Sequence, residues 1–532
     1  MKVATALQMQ EIDRLTINEY GIPGEVLMAV AGKSVADYIK TYLCADNIAV
    51  LCGVGNNGGD GYVAAYFLSQ YIKTDIFVAG ATQKLTPSSR IYFELCKKAA
   101  IPVYELTDTI LQTGIFNNYD IIVDALTGTG FSGTPKGLLL QGIEAINKSC
   151  KAVVSIDMPS GLPADGILQS EAIVKAHVTV TMGLPKVNLV TYPGKDYAGH
   201  VVVADIGFPE VLLKSNDIKR QLIDDDYIIS NYRPQKNYDA HKGTNGHLLC
   251  IGGFDGMEGA IMLVSEAAFA AGIGLVTIAT TPKARTIIAG KIKEAITREI
   301  ELDDYADVFI DEMTHEVLKQ KQFIDLTERI TTILQQLITS TRCSACAIGP
   351  GLGRSIFSAA VVKSAIAIVK ERAIPAIIDG DGLFHCAMLH ENFSPDKTCI
   401  ITPHFKEASR LLNVPVDDIK QDRLSFAEKL AGATGAITVL KGPASIVSDG
   451  MQTTINTTGN PALATAGSGD VLTGIIGSFL AHGTTPLVAA SLGVYIHGKA
   501  ADIYCDDSGY AIMQAGDIIQ NIRKAYGCLP WM

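Results

Sequence analysis

The stretch NIAVLCGVGNNGGDGY, Asn47–Tyr62, decides the fold. Its apolar start reads as a strand near Ile48–Cys52, and the apolar-periodic residues after the glycines predict a helix beginning near Tyr62. A strand, a glycine loop and a helix in that order bring backbone N–H groups and a positive helix end to a place where a phosphate can sit. Gly53, Gly55 and Gly58 satisfy G-x-G-x-x-G. The acidic residue that a ribose-binding dehydrogenase carries about 20 positions on is missing, since the next strand ends in VAGATQK. A hydride-transferring dehydrogenase is therefore not favoured. Asn56, Asn57 and Asp60 are more polar cargo than a phosphate turn requires, and they imply a second task.

Working outward, short Val/Ile/Ala-rich runs alternate with longer helical stretches, the pattern of parallel sheets with crossover helices. The first half predicts further strands near Asp75–Val78, Ile121–Val123, Val153–Ile156, Val178–Thr181 and Val201–Ala204, and closes around Pro209. A fresh series follows: strands His247–Gly252, Leu275–Thr280, Ala345–Ile348, Ala376–Ile378, Ile400–Ile401 and Ile437–Leu440, with a helix at Glu258–Ala271. Between them the chain turns polar and loses its periodicity. The expected organisation is a domain over residues 1–215, a linker at 216–240 and a domain over 241–532.

Composition limits the functions. A chain of 532 residues is long enough for two to four domains at about 150 residues each. With 44 basic and 55 acidic residues the net charge is −11, and with no long basic run the sequence argues against nucleic acid as a partner. The N-terminus lacks an apolar signal core. The most apolar stretch, Gly259–Thr280, is broken by Glu266, Gly272 and Gly274, so a buried helix and strand explain it better than a membrane span. Eleven cysteines, mostly in apolar segments, fit reduced thiols and a cytoplasmic protein. The lone CxxC pair, Cys343 and Cys346, precedes a strand rather than opening a helix and reads as core or surface thiols, with a redox or metal site as the alternative.

Two more strand ends in the first half carry chemistry. DIIVDALTGTGFSGT places Asp124 before a Thr/Gly loop, and VVSIDMPSGLPADG places Asp157 and Ser160 likewise. Loops at the carboxyl ends of parallel strands converge on one crevice. Asn57, Asp124 and Ser160 are hard oxygen donors, suited to an alkali or alkaline-earth cation. Helix capping and turn shaping are the ordinary alternative for these residue types. In the second half ATAGSGD puts Gly467, Ser468, Gly469 and Asp470 directly before an apolar helix. Small residues let backbone approach a phosphoryl group, and an Asp there can take a proton from a hydroxyl. A glycine-rich cap with Asp as its capping residue is the plain alternative. Lys441 ends a strand and suits a nucleotide contact; His404, Gly351, Gly353, Asp379 and Asp381 stand at further strand ends.

GVGNNGGDGYVAA, DALTGTGFSG, SIDMPSGLPADG and LPKVNLVTYPGKDYAGHVVVADIGFP resemble the successive signatures of the NAD(P)H-hydrate epimerase domain over about residues 1–215. The resemblance implies that Asn56, Asn57, Gly58, Gly59 and Asp60, with Gly128, Thr129, Gly130, Phe131, Ser132, Gly133 and Thr134, hold the damaged dinucleotide. It implies that Asp157 contacts that substrate, and that Asn57, Asp124 and Ser160 surround K⁺. The implied reaction interconverts R and S forms of NADHX and NADPHX, hydrated at C6 of the nicotinamide ring. A carboxylate acting as acid and base is needed, and Asp157 is the candidate.

HKGTNGHLLCIGG, MEGAIMLVSEAAFAAGIGLVTIAT, GPGLG, DGDGLF, TPHFKEASRLL, VLKGPAS and GSGD resemble the ADP/ATP-dependent NAD(P)H-hydrate dehydratase domain over about residues 230–525. The implied roles are nucleotide binding by Lys441, Gly442, Pro443, Ala444, Ser445 and Gly469, hydrate binding by Ala260, Gly353, His404 and Asp470, and base catalysis by Asp470. Mg²⁺ is implied on the nucleotide phosphates, and ADP rather than ATP by likeness to prokaryotic fused members. One departure stands out: TPHFKE replaces the expected TPHPGE, with Phe405 and Lys406 for Pro and Gly. The implied architecture is α/β throughout, an N-terminal Rossmann-like three-layer domain followed by a C-terminal ribokinase-like domain. A homo-oligomer is also expected, because domains of this family self-associate. The rival readings are a ribokinase-like small-molecule kinase fused to a dinucleotide-binding domain, which leaves the first 215 residues unexplained, and a non-catalytic dinucleotide sensor, against which Asp157 and Asp470 argue.

Overall fold

A computed structural model describes residues 1–233, 239, 241–300, 321–391, 393 and 397–529. The chain divides into two compact units, Lys2–Arg220 and Gln221–Met532 with Met1.

The first unit is built on a seven-stranded sheet. Its order is Val103–Glu105, Lys73–Val78, Asn47–Cys52, Ile121–Ala125, Ala152–Ile156, Val178–Met182 and His200–Ala204. Every neighbouring pair runs parallel. The chain starts in the middle, moves to one edge, then returns to Ile121–Ala125 and proceeds to the other edge. The strand order therefore reverses between Asn47–Cys52 and Ile121–Ala125, and the loops leaving these two strands diverge to frame a crevice. Near-continuous burial of Ile48–Cys52 and Ile121–Ala125 reflects helices on both faces.

The helix after the first strand begins at Asn56, not near Tyr62. The sequence GNNGGDG reads as a loop because glycine disfavours helix, but close packing demands small residues in this first turn. A Cβ on Gly58 would stand 1.9 Å from the Gly53 carbonyl oxygen, and one on Gly61 2.6 Å from Ala125 Cβ.

In the second unit the strands follow the order Thr453–Asn456, Ile446–Ser448, Ile437–Leu440, Cys399–Ile401, Ala376–Ile378, Ala345–Ile348, His247–Ile251, Leu275–Thr280 and Ile296–Glu299. The reversal here lies between Ala345–Ile348 and His247–Ile251. Ile446–Ser448 and Thr453–Asn456 pair antiparallel, an addition that the sequence reading missed. Asp449 explains the turn between them: its carboxylate accepts from the Met451 and Gln452 amides at 2.7 and 2.6 Å. The helices Glu258–Ala270 and Ser468–Ala481 share the core on one face.

The polar stretch 216–240, read as a linker, carries the strand Arg220–Ile223 and the helix Asp225–Asn231. Asp224 caps that helix by accepting from the Tyr227 amide, and Ile223, Tyr227 and Ile228 bury in the second core. Three apolar residues among many charges are too few to show as periodicity. Residues 234–238 and 240 of this stretch lie outside the described residues. Cys343 and Cys346 are free thiols with sulfurs 3.9 Å apart. Among the described residues no helix is long and apolar enough to cross a membrane.

Candidate functional site

At the reversal in the first unit the crevice opens into a cavity of about 780 Å³. Asn56, Asn57, Asp60, Gly128, Thr129, Gly130, Phe131 and Asp157 all line it. Gly58 and Gly59 are buried in the helix wall behind, and Ser132, Gly133 and Thr134 are not among its lining residues.

Asp157 follows the strand Ala152–Ile156 with φ +63, a left-handed backbone that a non-glycine residue adopts only when its surroundings enforce it. Its amide bonds the Val180 carbonyl at 2.7 Å. The Lys186 ammonium donates to Asp157 Oδ1 at 2.6 Å, while the Thr129 amide and hydroxyl donate to Oδ2 at 2.8 and 2.6 Å. Burial raises the carboxyl's pKa, but Lys186 and the Thr129 hydrogen bonds outweigh it and hold Asp157 below its ordinary value. The result is a charged carboxylate at the cavity wall. Gly128 makes room for it: a Cβ there would stand 2.9 Å from both Asn57 Oδ1 and Asp157 Oδ2. Asp60 faces the same cavity and is shifted the other way, pushed well above its ordinary value by burial and then by the charge of Asp157.

Asp124 and Ser160 lie beneath this floor, both fully buried. Ser160 donates its hydroxyl to Asp124 Oδ1 at 2.5 Å and its amide to Oδ2 at 2.8 Å; Ser155 adds a hydroxyl at 2.8 Å. Burial nevertheless raises Asp124 above its ordinary value. The Thr127 carbonyl joins the set, accepting from Asn57 Nδ2 at 2.9 Å and from the Ser160 hydroxyl at 3.3 Å. Asn57 Oδ1 is buried with no hydrogen-bond partner. The Asn57 amide is thus joined to the Asp124 carboxylate through the Thr127 carbonyl and the Ser160 hydroxyl, with one buried acceptor of the set left unpaired.

The sequence reading missed Lys186. The available signal was its position four residues after a parallel strand, the same kind of place that singled out Asp157.

In the second unit a cavity of about 550 Å³ opens at the reversal of strand order. Ala260, His404 and Asp470 line it; Gly353 does not, but its amide donates at 2.9 Å to the Asp381 carboxylate, which does. Asp470 is the third residue of the helix Ser468–Ala481, whose capping position is Gly467 at φ +83. Asp470 is therefore not the cap. Burial, and then the negative charge of Asp379, pushes its carboxyl up to about 7, against the pull of Lys441. Among the described residues nothing hydrogen-bonds that carboxyl.

Lys441 forms an ion pair with Asp379 at 2.7 Å, and Thr473 donates to the other Asp379 oxygen at 2.8 Å. A Cβ on Gly469 would stand 3.4 Å from Lys441 Nζ, so the glycine turn and the lysine share one locus. The neighbouring Gly442–Ser445 loop has Ala444 at φ +49, and Arg423 donates to the carbonyls of Pro443 and Ala444. None of Lys441, Gly442, Pro443, Ala444, Ser445 and Gly469 lines the 550 Å³ cavity. His404 caps the helix Phe405–Leu412, accepting through Nδ1 from the Lys406 and Glu407 amides while its own amide donates to Glu407. Phe405 and Lys406 thus leave the position of His404 intact. Glu407, a neighbour that the sequence reading passed over, is raised to about 7 by burial.

Each half also matches a family model: NAD(P)H-hydrate dehydratase at residues 248–524, and YjeF-related protein N-terminus at residues 24–188. The bifunctional NAD(P)H-hydrate repair enzyme of Moorella thermoacetica is 36% identical over 98% of this chain and 95% of its own length. That of Coxiella burnetii is 33% identical over 97% of each, and that of Escherichia coli 31% identical over 94% of this chain and 88% of its own. Among solved structures, the ADP/ATP-dependent NAD(P)H-hydrate dehydratase from Bacillus subtilis, co-crystallized with ATP/Mg²⁺, is 25% identical and spans 58% of this chain and 98% of its own, with a TM-score of 0.46. A likeness that runs nearly the full length of these relatives, with a family model covering most of the residues around each cavity, shows that the chain belongs to the bifunctional NAD(P)H-hydrate repair enzymes.

Proposed function

We propose that the first unit interconverts R and S NAD(P)HX and that the second dehydrates S-NAD(P)HX to NAD(P)H, consuming ADP and releasing AMP and phosphate. The observation that carries this reading is the contrast between two carboxylates. Asp157 is kept charged by Lys186 at a dinucleotide-sized cavity, and Asp470, in a separate cavity, is kept near neutrality with no hydrogen-bond partner.

In the epimerase unit Asp157 moves the proton as the C6 hydroxyl is lost and regained, or as the ring opens and closes. Lys186 and Thr129 keep it oriented between turnovers. A bound K⁺ would be held by Asn57, Asp124 and Ser160, and would supply a positive charge beneath the substrate; the orphan Asn57 Oδ1 and the buried Asp124 support that fit.

In the dehydratase unit Asp470 accepts the proton of the C6 hydroxyl as that oxygen attacks the terminal phosphorus of ADP. The bond to the bridging oxygen breaks and AMP departs. The amides at Gly467–Gly469, at a helix N-terminus, suit the charge on the transferring phosphoryl. The phosphate ester then leaves as the ring nitrogen's lone pair forms a C=N bond, and loss of a proton from the adjacent ring carbon gives NAD(P)H. Mg²⁺ would screen the nucleotide phosphates.

One titration tests both halves of the proposal: epimer interconversion is measured in K⁺ and in a large inert cation, with NADH formation followed beside it. Potassium should accelerate interconversion, and NADH should form only when ADP is added. Equal interconversion rates in both cations would reject the K⁺ site, and NADH formation without ADP would reject the dehydratase mechanism.

A further inference from the structure

The second cavity carries charge of both signs: the carboxylates Asp381, Glu407 and Asp470 line it together with Arg354, Lys406 and Arg410. Arg354 and Arg410 gather on the buried Phe384, their guanidinium carbons 4.3 and 5.0 Å from its ring centroid. Stacking on a ring holds a guanidinium in place while leaving its N–H edge free to bind. Lys406 and Arg410 lie four residues apart on the helix Phe405–Leu412, so they share a face and repel each other. Among the described residues no carboxylate forms an ion pair with either, and Arg354 reaches Asp381 only at 3.7 Å. Both also line a second, more open concavity of about 710 Å³ that continues the first past Ser409 and Asn413. Cations left unpaired between two adjoining hollows are suited to an anion that crosses from one to the other.

We propose that Arg354, Lys406 and Arg410 bind a phosphate group of the hydrated dinucleotide, remote from the ring under repair. The inference rests on the dehydratase reading above. With the hydrate ring beside Asp470, the rest of the dinucleotide runs outward over Phe384, and the adenosine half enters the outer hollow. The phosphate is either the pyrophosphate, common to NADHX and NADPHX, or the ribose 2′-phosphate, found only in NADPHX. Lys406 stands where the resemblance leads one to expect glycine, and it adds a cation at that edge.

The test is steady-state dehydration by Lys406→Gln, Arg410→Gln and the double variant, with NADHX and NADPHX in separate arms and ADP titrated in a third. Turnover by the same samples at saturating hydrate, with far-UV circular dichroism and thermal unfolding beside it, reports that the second unit is folded. The double variant should raise KM for the hydrate by about tenfold or more, with a much smaller change in kcat and in KM for ADP, and added salt should shrink the difference. A rise in both hydrate arms supports the pyrophosphate, and a rise with NADPHX alone supports the 2′-phosphate. An unmoved hydrate KM in an enzyme that turns over, or a rise confined to ADP, overturns the clamp. Failure of the wild-type chain to convert either hydrate overturns the dehydratase reading, and the clamp with it.

Discussion

Asp470→Asn is expected to lower ADP-dependent dehydration by about 10² to 10⁴-fold while leaving epimerisation close to its wild-type rate. The carboxyl sits in the first turn of Ser468–Ala481 and takes no hydrogen bond from the protein among the described residues, so an amide of the same size removes the base without breaking a structural contact. Folding should survive for the same reason. The first unit, with its own sheet and its own cavity, contains none of the residues around Asp470. Measuring NADH absorbance and the epimer ratio on one sample separates the two activities. Dehydration near the wild-type rate would show that Asp470 is not the base. Loss of both activities in a folded chain would show that the two sites are not independent.

The second large effect is expected at Lys186, a residue that sequence reasoning did not single out. Its side chain is 1% exposed and its ammonium touches Asp157 Oδ1, the Thr181 hydroxyl and the Met182 carbonyl. Removing one member of a buried ion pair leaves the other charge uncompensated, which costs about 3 to 5 kcal/mol. Lys186→Met should therefore destabilise the first unit by roughly that amount, raise the pKa of Asp157 and abolish epimerisation, with dehydration of S-hydrate retained. Adding Asp157→Asn removes the stranded charge, so the double variant should recover much of the stability and none of the epimerase activity. Thermal unfolding together with both assays checks this. Equal destabilisation in the single and double variants would mean that Lys186 serves packing rather than the carboxylate.

The pattern of what was legible follows from physical range. Buried parallel strands such as Leu275–Thr280 and Ala345–Ile348 are continuous apolar runs bounded by turn residues, and they stand in the structure where the sequence placed them. Short edge or hairpin strands such as Val103–Glu105 and Thr453–Asn456 have no such contrast with their flanks and went unread. The start of the helix at Asn56 was hidden for a different reason. Glycine there answers a packing demand from Gly53 and Ala125, which lie far along the chain or in a preceding turn, and local propensity points the other way. Among the candidate residues, Asp124 and Asp157 were singled out by type and by their place at the ends of strong strands, whereas the role proposed for His404 came from the family resemblance, since a loop histidine after a strand is ordinary by position. Lys186, Glu407 and Arg410 gain their meaning from partners 29, 34 and 26 residues away, at Asp157, Lys441 and Phe384, and no single stretch of sequence displays those pairings.

The central claim is that one chain repairs both epimers through two separate sites. The most direct measurement is the final extent of repair when an equal mixture of R and S NADHX is incubated with the wild-type chain, ADP and Mg²⁺, compared with the same incubation of Asp157→Asn. The wild-type chain should convert the whole mixture to NADH. The variant should convert the S half quickly and the R half only as fast as it epimerises spontaneously. Complete and equally rapid conversion of both epimers by Asp157→Asn, or a wild-type reaction that stops at half, would contradict the account.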